Sequence, residues 1–410
     1  MRRILILGAS RYYVPIIRQL QASGRYICHV CDRDPAAQGA TVADAFHPVD
    51  ISDAGAVLRL ARGLALDGVM PVNDFGVPTA AKVAGALGLP GLSERSAALT
   101  TDKPLMRQCW QAAGLPIPAF RVLTAGEDIA ATCAEIGFPC VLKPDFSGGG
   151  ARGVSVIACP ADIPAAIAHC APHARGGRWL VEAYLDGLEL SAESVSIDGH
   201  VHLLALGDKQ ILPPPGCVTQ SIQYPAALDP TTAERVREVV AAAVLALGIR
   251  EGFAHTELRL VAGTPYLLET GARGGGGHIF HTLIEAVSGV AAPLLQADLL
   301  CGDTVALSRV EARGAGCYRF VIPPPGRVVA LRSPAGLANL PGVVDWQLDL
   351  QPGDLIRTPA SGLERAGFIV TLGRTRDEAV QRANQAEAWL EISIAPEHTK
   401  HRPSSGLGPA

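Results

Sequence analysis

The sequence predicts an α/β protein of several units, and three observations carry that reading. Over roughly the first 95 residues, apolar strands alternate with helices, the pattern of a parallel sheet. In the middle, LELSAESVSIDGHVHLLALGDKQ reads as a hairpin turning at Asp198–Gly199. From about residue 306 the chain changes to short strands separated by turns.

RILILGAS is a buried strand, YVPIIRQLQASG a helix ended by Gly24, and RYICHVCDRD a second strand. ALDGVMPVND contains another strand, leaving Asn73 and Asp74 at the edge where open α/β sheets bind ligands. The first turn, GASRYY, lacks GxGxxG, so dinucleotide binding is not supported; a plain strand-to-helix turn explains it equally. In TTDKPLMRQCWQAAGLPIP, Thr101 or Asp102 caps a helix, Pro104 suits its first turn, and Gly114, Pro116 and Pro118 stop it. A short helix near 126–137, the strand FPCVLKPD, the loop FSGGGARG, the strand VSVIA, a helix around 161–169 and the strand RWLVEAYLDG follow. TTAERVREVVAAAVLALG is a helix with Thr231 and Glu234 spaced as a capping box. HTELRL and YLLET are strands joined through Ala262–Gly263–Thr264–Pro265. GRVVALRS, VVDWQLDL, GDLI and GFIVTLG are short strands, and TRDEAVQRANQAEAWLEI is a helix capped by Thr375 and Glu378. The Gly/Pro-rich tail, 397–410, is expected to be disordered.

With 410 residues, 48% apolar and 18% charged, the chain can fill the cores of two to four domains. The net charge of −4, with no basic stripe, argues against nucleic acid or an anionic membrane as partner. The opening apolar run is too short for a signal peptide and Val239–Ile249 too short for a bilayer span, so a cytoplasmic location is expected. Ten cysteines form no framework; Cys28 and Cys31 make a lone CxxC along a strand and read as buried thiols.

The chemistry-bearing residues are the charges set in apolar strands. Lys143 lies in VLKPD, and a lysine facing a core needs an anion beside it. The loop SGGGARG follows; glycines there allow close backbone approach to phosphate, although a flexible hairpin turn has the same composition. Glu257 and Glu269 stand on two neighbouring strands, where their carboxylates can converge. Two close carboxylates need a proton or a cation between them, and hard oxygen ligands suit Mg²⁺. The alternative is one surface acid and one acid paired with Arg273.

In order and spacing these residues resemble the ATP-grasp ligases, over about residues 1–395. The resemblance rests on Lys103, on Lys143 before the lid loop 147–153, on Glu182 and Glu189 seven residues apart, on Lys209 in LGDKQ, and on Glu257, Glu269 and Arg273. GDK, FAHTELRL and ETGARGGGG look most like the L-amino acid ligase branch. That resemblance implies an α/β ATP-grasp fold: a Rossmann-like domain over 1–97, a central segment with the lid over 98–185, the catalytic sheet over 186–305 and a small C-terminal α/β unit over 306–396.

It also implies ATP as cosubstrate, with Mg²⁺, or Mn²⁺ as its substitute, on Glu257 and Glu269. Glu182 with the backbone of Ala183 and Leu185 receives the adenine, and Glu189 the ribose. Lys103, Lys143, Ser147, Gly148, Gly149 and Gly150 hold phosphates, and Lys209 points at the γ-phosphate. Arg273 and His255 act at the reacting centre. The implied reaction joins a carboxylate, expected to be an amino acid, to an amine, expected to be a second one, with ADP and phosphate released; a homodimer is expected. The loop 213–226 is expected to face the substrate. A purine-pathway-like ligase or carboxylase, or a non-catalytic nucleotide-binding protein, is the alternative. In one place the family's asparagine is replaced by Gly271, so whether one or two Mg²⁺ bind stays open, and Gly271→Ala is expected to be tolerated unless the backbone is left-handed.

Overall fold

Residues 1–124, 126–146, 148–175, 177–213, 217–307, 310 and 313–396 are described by a computed structural model of the chain. Ser147 and the tail beyond 396 lie outside the described residues.

The N-terminal unit is a four-stranded parallel sheet in the order Ala45–Pro48, Tyr26–Asp32, Arg2–Leu7, Gly68–Pro71. The strand order reverses between Arg2–Leu7 and Gly68–Pro71. The loops leaving their carboxyl ends, with Tyr12 on one and Asp74 on the other, therefore open at the crevice where such sheets take ligands. Cys28 and Cys31 are three residues apart on one strand, so they point to opposite faces, and each is buried in a different apolar cluster.

The lid is a separate antiparallel sheet in the order Phe120–Leu123, Trp179–Ala183, Cys140–Pro144, Ser155–Ile157. Its edge strand is joined to the central one by the glycine loop, where Gly149 and Gly150 take positive φ of 81° and 72°. Lys103 begins the helix Lys103–Ala112, capped by Asp102, whose side chain accepts from the Leu105 amide.

The catalytic sheet has eight antiparallel strands in the order Thr264–Gly271, Gly252–Val261, Leu188–Ile197, His200–Ile211, Thr219–Tyr224, Ala315–Val321, Gly367–Gly373, Val343–Leu348. The strands beyond 306 thus extend this sheet and do not close a sheet of their own, apart from a small one of three strands. The expected hairpin turns at Asp198–Gly199, both at positive φ. The helix Pro230–Ala246 starts two residues earlier than the box at Thr231 would allow: Asp229 caps it by accepting from the Thr232 amide, and Pro230 takes the first helical position, which needs no N–H. Thr375 caps the last long helix as expected. The N-terminal and catalytic sheets share one apolar core, in which Ile4, Ile6, Phe253, Phe280 and Leu295 all take part. Among the described residues no single helix is long and apolar enough to cross a membrane.

Burial pushes the Cys28 and Cys31 thiols up to about 12. Neither will be a thiolate at neutral pH. The Cys28→Ser/Cys31→Ser variant should show the same number of fast Ellman-reactive thiols as the natural chain and the same metal content; a fast-reacting pair or bound zinc lost in the variant would contradict this packing.

Candidate active site

One cavity of about 430 Å³ is lined by residues from every unit of the fold and gathers most of the charged strand residues. Its floor is a face of the catalytic sheet, and the strand pairing determines which residues meet. Glu189 pairs with Arg259, Ser191 with Glu257 and Glu193 with His255 across one ladder, and Glu257 pairs directly with Glu269 across the next. Residues alternate between faces along a strand, so Glu189, Ser191, Glu193, His255, Glu257 and Arg259 share one face.

Cations compensate each acid on this face. The Lys209 Nζ contacts Glu257 and lies 3.2 Å from Glu189. The Lys103 Nζ is 3.2 Å from Glu269. Arg259 meets Glu189 at 3.1 Å. His255 donates from Nδ1 to Glu193 at 2.7 Å and lies 3.5 Å from Glu257 through Nε2. Burial pushes the Glu257 carboxyl up, but Lys209 and His255 more than offset this and hold it well below the usual carboxylate range. Burial alone would lower His255; the Glu193 carboxylate beside it instead raises it to about 9. The ring is therefore an imidazolium at neutral pH.

In the lid, Lys143 finds the anion its burial demands. Val141 pairs with Glu182 across the lid sheet, so Lys143, two residues on, is a diagonal neighbour and its ammonium contacts the carboxylate. Arg107 grips the same carboxylate from the helix Lys103–Ala112 and also donates to the Leu268 carbonyl. Burial would push Glu182 up, yet the two cations hold it down. Burial, with Arg107 adding repulsion, lowers Lys143 in spite of Glu182. The two shifts share a direction but not a cause: cations lower Glu182, and burial lowers Lys143. Glu182 lines the cavity as well, with its carboxylate almost wholly buried and held by Arg107 and Lys143. The Glu189 carboxylate is likewise held by Lys209 and Arg259, while Ala183 and Leu185 line the cavity as expected.

Arg273 reaches the same space. Its guanidinium forms a two-pronged pair with Asp74, Nε to Oδ1 at 3.1 Å and Nη2 to Oδ2 at 2.9 Å. Asp74 comes from the N-terminal switch-point loop, so this pair ties two units together at the cavity. Gly271 makes the pair possible. Its backbone is not left-handed, but a Cβ there would lie 2.8 Å from Asp74 Oδ1. The condition for tolerating Gly271→Ala, a backbone that is not left-handed, is met, but the added side chain would press on the end of Asp74 where it pairs with Arg273.

Of the lid loop, Gly149 and Gly150 line the cavity. Gly148 does not; its carbonyl accepts from Arg152, and Phe75 packs where its side chain would be. From the loop expected to face substrate, Cys217, Thr219 and Ile222 line the cavity, while 214–216 lie outside the described residues. Sequence reasoning missed Asp74 as a partner of Arg273, together with Arg107, Glu193, Arg259 and the C-terminal residues Tyr318, Phe320, Arg365 and Phe368. Glu193 and Arg259 carried a signal: E-x-S-x-E and H-x-E-x-R put charges at period two on strands.

Glu257 and Glu269 fit a divalent cation. They are opposed across a ladder, open to the same cavity, and are hard oxygen donors. Among the described residues no cluster of three or more His, Cys, Asp or Glu side chains is placed to hold a metal ion.

The ATP-grasp domain family matches residues 136–281, and the family described as L-amino acid ligase C-terminal domain 2 matches 319–395. The chain therefore carries an ATP-grasp domain over residues 136–281. It is 27% identical to the uncharacterized protein y4rH of Sinorhizobium fredii over 97% of this chain and 84% of that one. It is also 27% identical to the alanine–anticapsin ligase of Bacillus subtilis, over 60% of this chain and 56% of the relative, so it spans little more than half of that enzyme. A formate-dependent phosphoribosylglycinamide formyltransferase of Paraburkholderia xenovorans is 27% identical over 94% of each chain. The crystal structure of L-amino acid ligase from Bacillus licheniformis superposes with a TM-score of 0.81 at 23% identity, covering 97% of this chain and 99% of that one, so the two share a fold. The matched C-terminal domain carries Phe320 and Phe368 to the cavity, with Tyr318 just before it on the same strand as Phe320.

Two outcomes follow from this geometry. Gly271→Ala should fold but lose most ATP turnover, because the added methyl displaces Asp74 from Arg273; unchanged turnover would contradict the assigned close contact. The second concerns pH. A His255 raised from 6.5 to about 9 contributes stability that is full below pH 6.5 and is lost as pH rises through 9. In metal-free protein the loss should be on the order of 3 kcal/mol at most and absent in His255→Gln, measured by urea unfolding from pH 6 to 10. An equal slope in both proteins would remove the imidazolium.

Proposed function

We propose that the protein is an ADP-forming ligase that joins an amino acid carboxylate to the amine of a second amino acid. The observation that carries this reading is the opposed pair Glu257–Glu269, with Lys209, Lys103 and Arg273 converging on it in one cavity. ATP lies between lid and sheet. The backbone of Ala183 and Leu185 faces the adenine, and Glu189 with Arg259 flanks the ribose. Lys103, Lys143 and the glycine loop surround the phosphates. Lys143 is kept in place by Glu182, which Arg107 anchors in turn. Mg²⁺ would be held by Glu257 and Glu269 and would offset charge on the phosphates.

The substrate carboxylate oxygen attacks the γ-phosphorus and the bond to the β-phosphate oxygen breaks, giving an acyl phosphate and ADP. The amine then adds to the acyl carbon, and phosphate leaves. Lys209 balances negative charge on the transferred group. Arg273, fixed by Asp74, keeps two N–H bonds for the oxyanion of the tetrahedral stage, where preorganised donors act most strongly. The lid excludes water that would hydrolyse the acyl phosphate.

The test is nucleotide chromatography with a panel of amino acids. ADP and phosphate should form only when amino acids are present, with a product whose mass is the sum of two amino acids less water. AMP with pyrophosphate would overturn the chemistry. Amino acid-independent ADP release driven by formate, bicarbonate or a ribonucleotide amine would transfer the reading to the formyltransferase-like relatives. Arg273→Met should lower turnover roughly 100- to 1000-fold, the range for losing an oxyanion donor, with nucleotide affinity little changed.

A further inference from the structure

Six Lys and Arg side chains line the cavity. Five have acidic partners: Lys103 with Glu269, Lys143 with Glu182, Lys209 with Glu189 and Glu257, Arg259 with Glu189, and Arg273 with Asp74. The sixth, Arg365, has no ion pair or hydrogen bond among the described residues, and its Nε is sealed from solvent without a partner. Its guanidinium lies 3.7 Å from the centre of the Phe320 ring. Contact with a ring face leaves the in-plane N–H edge of an arginine unused, and that edge matches a carboxylate with two parallel bonds.

Burial lowers Arg365 to about 10, although Tyr318, Tyr12 and Glu257 act in the other direction. A cation so placed is costly until an anion meets it. The surroundings are aromatic: Tyr318 lies 4.5 Å from Phe320 and 5.5 Å from Phe368 between ring centres, and Tyr12 lies 6.1 Å from Phe368. The loop that carries Arg365 also meets the lid, because the Gly362 amide donates to the Gly150 carbonyl at 2.8 Å. The site is therefore enclosed by the N-terminal unit, the lid and the C-terminal strands, on the same cavity as the metal-holding acids.

We propose that Arg365 anchors the free carboxylate of the amine substrate, so that the acceptor is an α-amino acid and its side chain packs on Tyr318, Phe320 and Phe368. This rests on the ligase reading. The donor's carboxylate must go to the phosphate end, where Lys209 and the Glu257–Glu269 pair stand; Arg365 is left for the second substrate. A single unpaired guanidinium matches one negative charge. A phosphate monoester, the other anion that such a fork accepts, carries nearly two and would leave one uncompensated against an aromatic wall.

Binding separates these ideas without requiring turnover. Protein loaded with Mg²⁺ and a non-hydrolysable ATP analogue is titrated calorimetrically with each proteinogenic amino acid, with the matching amino acid amides and with ribose 5-phosphate. In Arg365→Met, at least one free amino acid should bind about 10- to 100-fold more weakly, the worth of a charged hydrogen-bonded pair. Its amide should bind both proteins alike, and the ATP analogue should bind as before, which shows the fold is intact. The proposal is overturned if no free amino acid binds the natural protein, if none loses more than about threefold in the variant, well short of the expected range, or if ribose 5-phosphate is the ligand whose affinity collapses. Amino acid-dependent ADP release in the natural protein reports separately on the ligase reading; a collapse in amino acid affinity without ADP release keeps the anchor and removes the ligase.

Discussion

The site depends on two carboxylates, Glu257 and Glu269, standing directly opposite one another on adjacent strands of a buried sheet. Like charges 4 Å apart repel by about 4 kcal/mol at the effective dielectric of a protein surface, and more where water is excluded. The fold answers with cations from different elements: Lys209 from the central hairpin, Lys103 from a helix start and His255 from the next pair along the ladder. In the proposed reaction Glu257 and Glu269 would hold a divalent cation, which would supply part of that compensation and would leave Lys209 and Lys103 free for phosphate oxygens.

A second arrangement links the units. Glu182 joins lid and helix by accepting from both Lys143 and Arg107, and Asp74 joins the N-terminal unit to the catalytic sheet through Arg273. Each contact is an ion pair shielded from water, and removing one partner of such a pair typically costs roughly 3–5 kcal/mol. They place a lysine and an arginine at the cavity with little freedom, as preorganised catalysis requires. The glycine at 271 belongs to this arrangement, since it clears the space through which Asp74 reaches Arg273.

Much of this was legible in the sequence because it follows from period and spacing. Lys143 in an apolar strand demanded an anion, and two short strands with a tight turn brought Glu257 opposite Glu269. The anion's identity was not legible: Glu182 lies 39 positions from Lys143, and only lid-strand register makes them neighbours. Asp74 was seen at a strand end but not as the partner of Arg273, 199 residues away. Arg107 sits in the middle of a helix, and a fully buried arginine there is accounted for only once Glu182 is beside it. The strands beyond 306 read as a separate unit because local pattern does not say which sheet a strand joins. The cap at Asp229 was missed by favouring the Ser/Thr box over an Asp–Pro start that marks a helix equally well.

The central claim is that Glu257 and Glu269 hold a divalent cation against nucleotide phosphate. Electron paramagnetic resonance of Mn²⁺ in the presence of ADP tests it without relying on any substrate. The natural chain should bind Mn²⁺ stoichiometrically in an ADP-dependent manner, and Glu257→Gln and Glu269→Gln should each weaken that binding strongly while remaining folded. Mn²⁺ binding that survives both substitutions unchanged would make the two acids structural partners of Lys209 and Lys103, and would contradict the account.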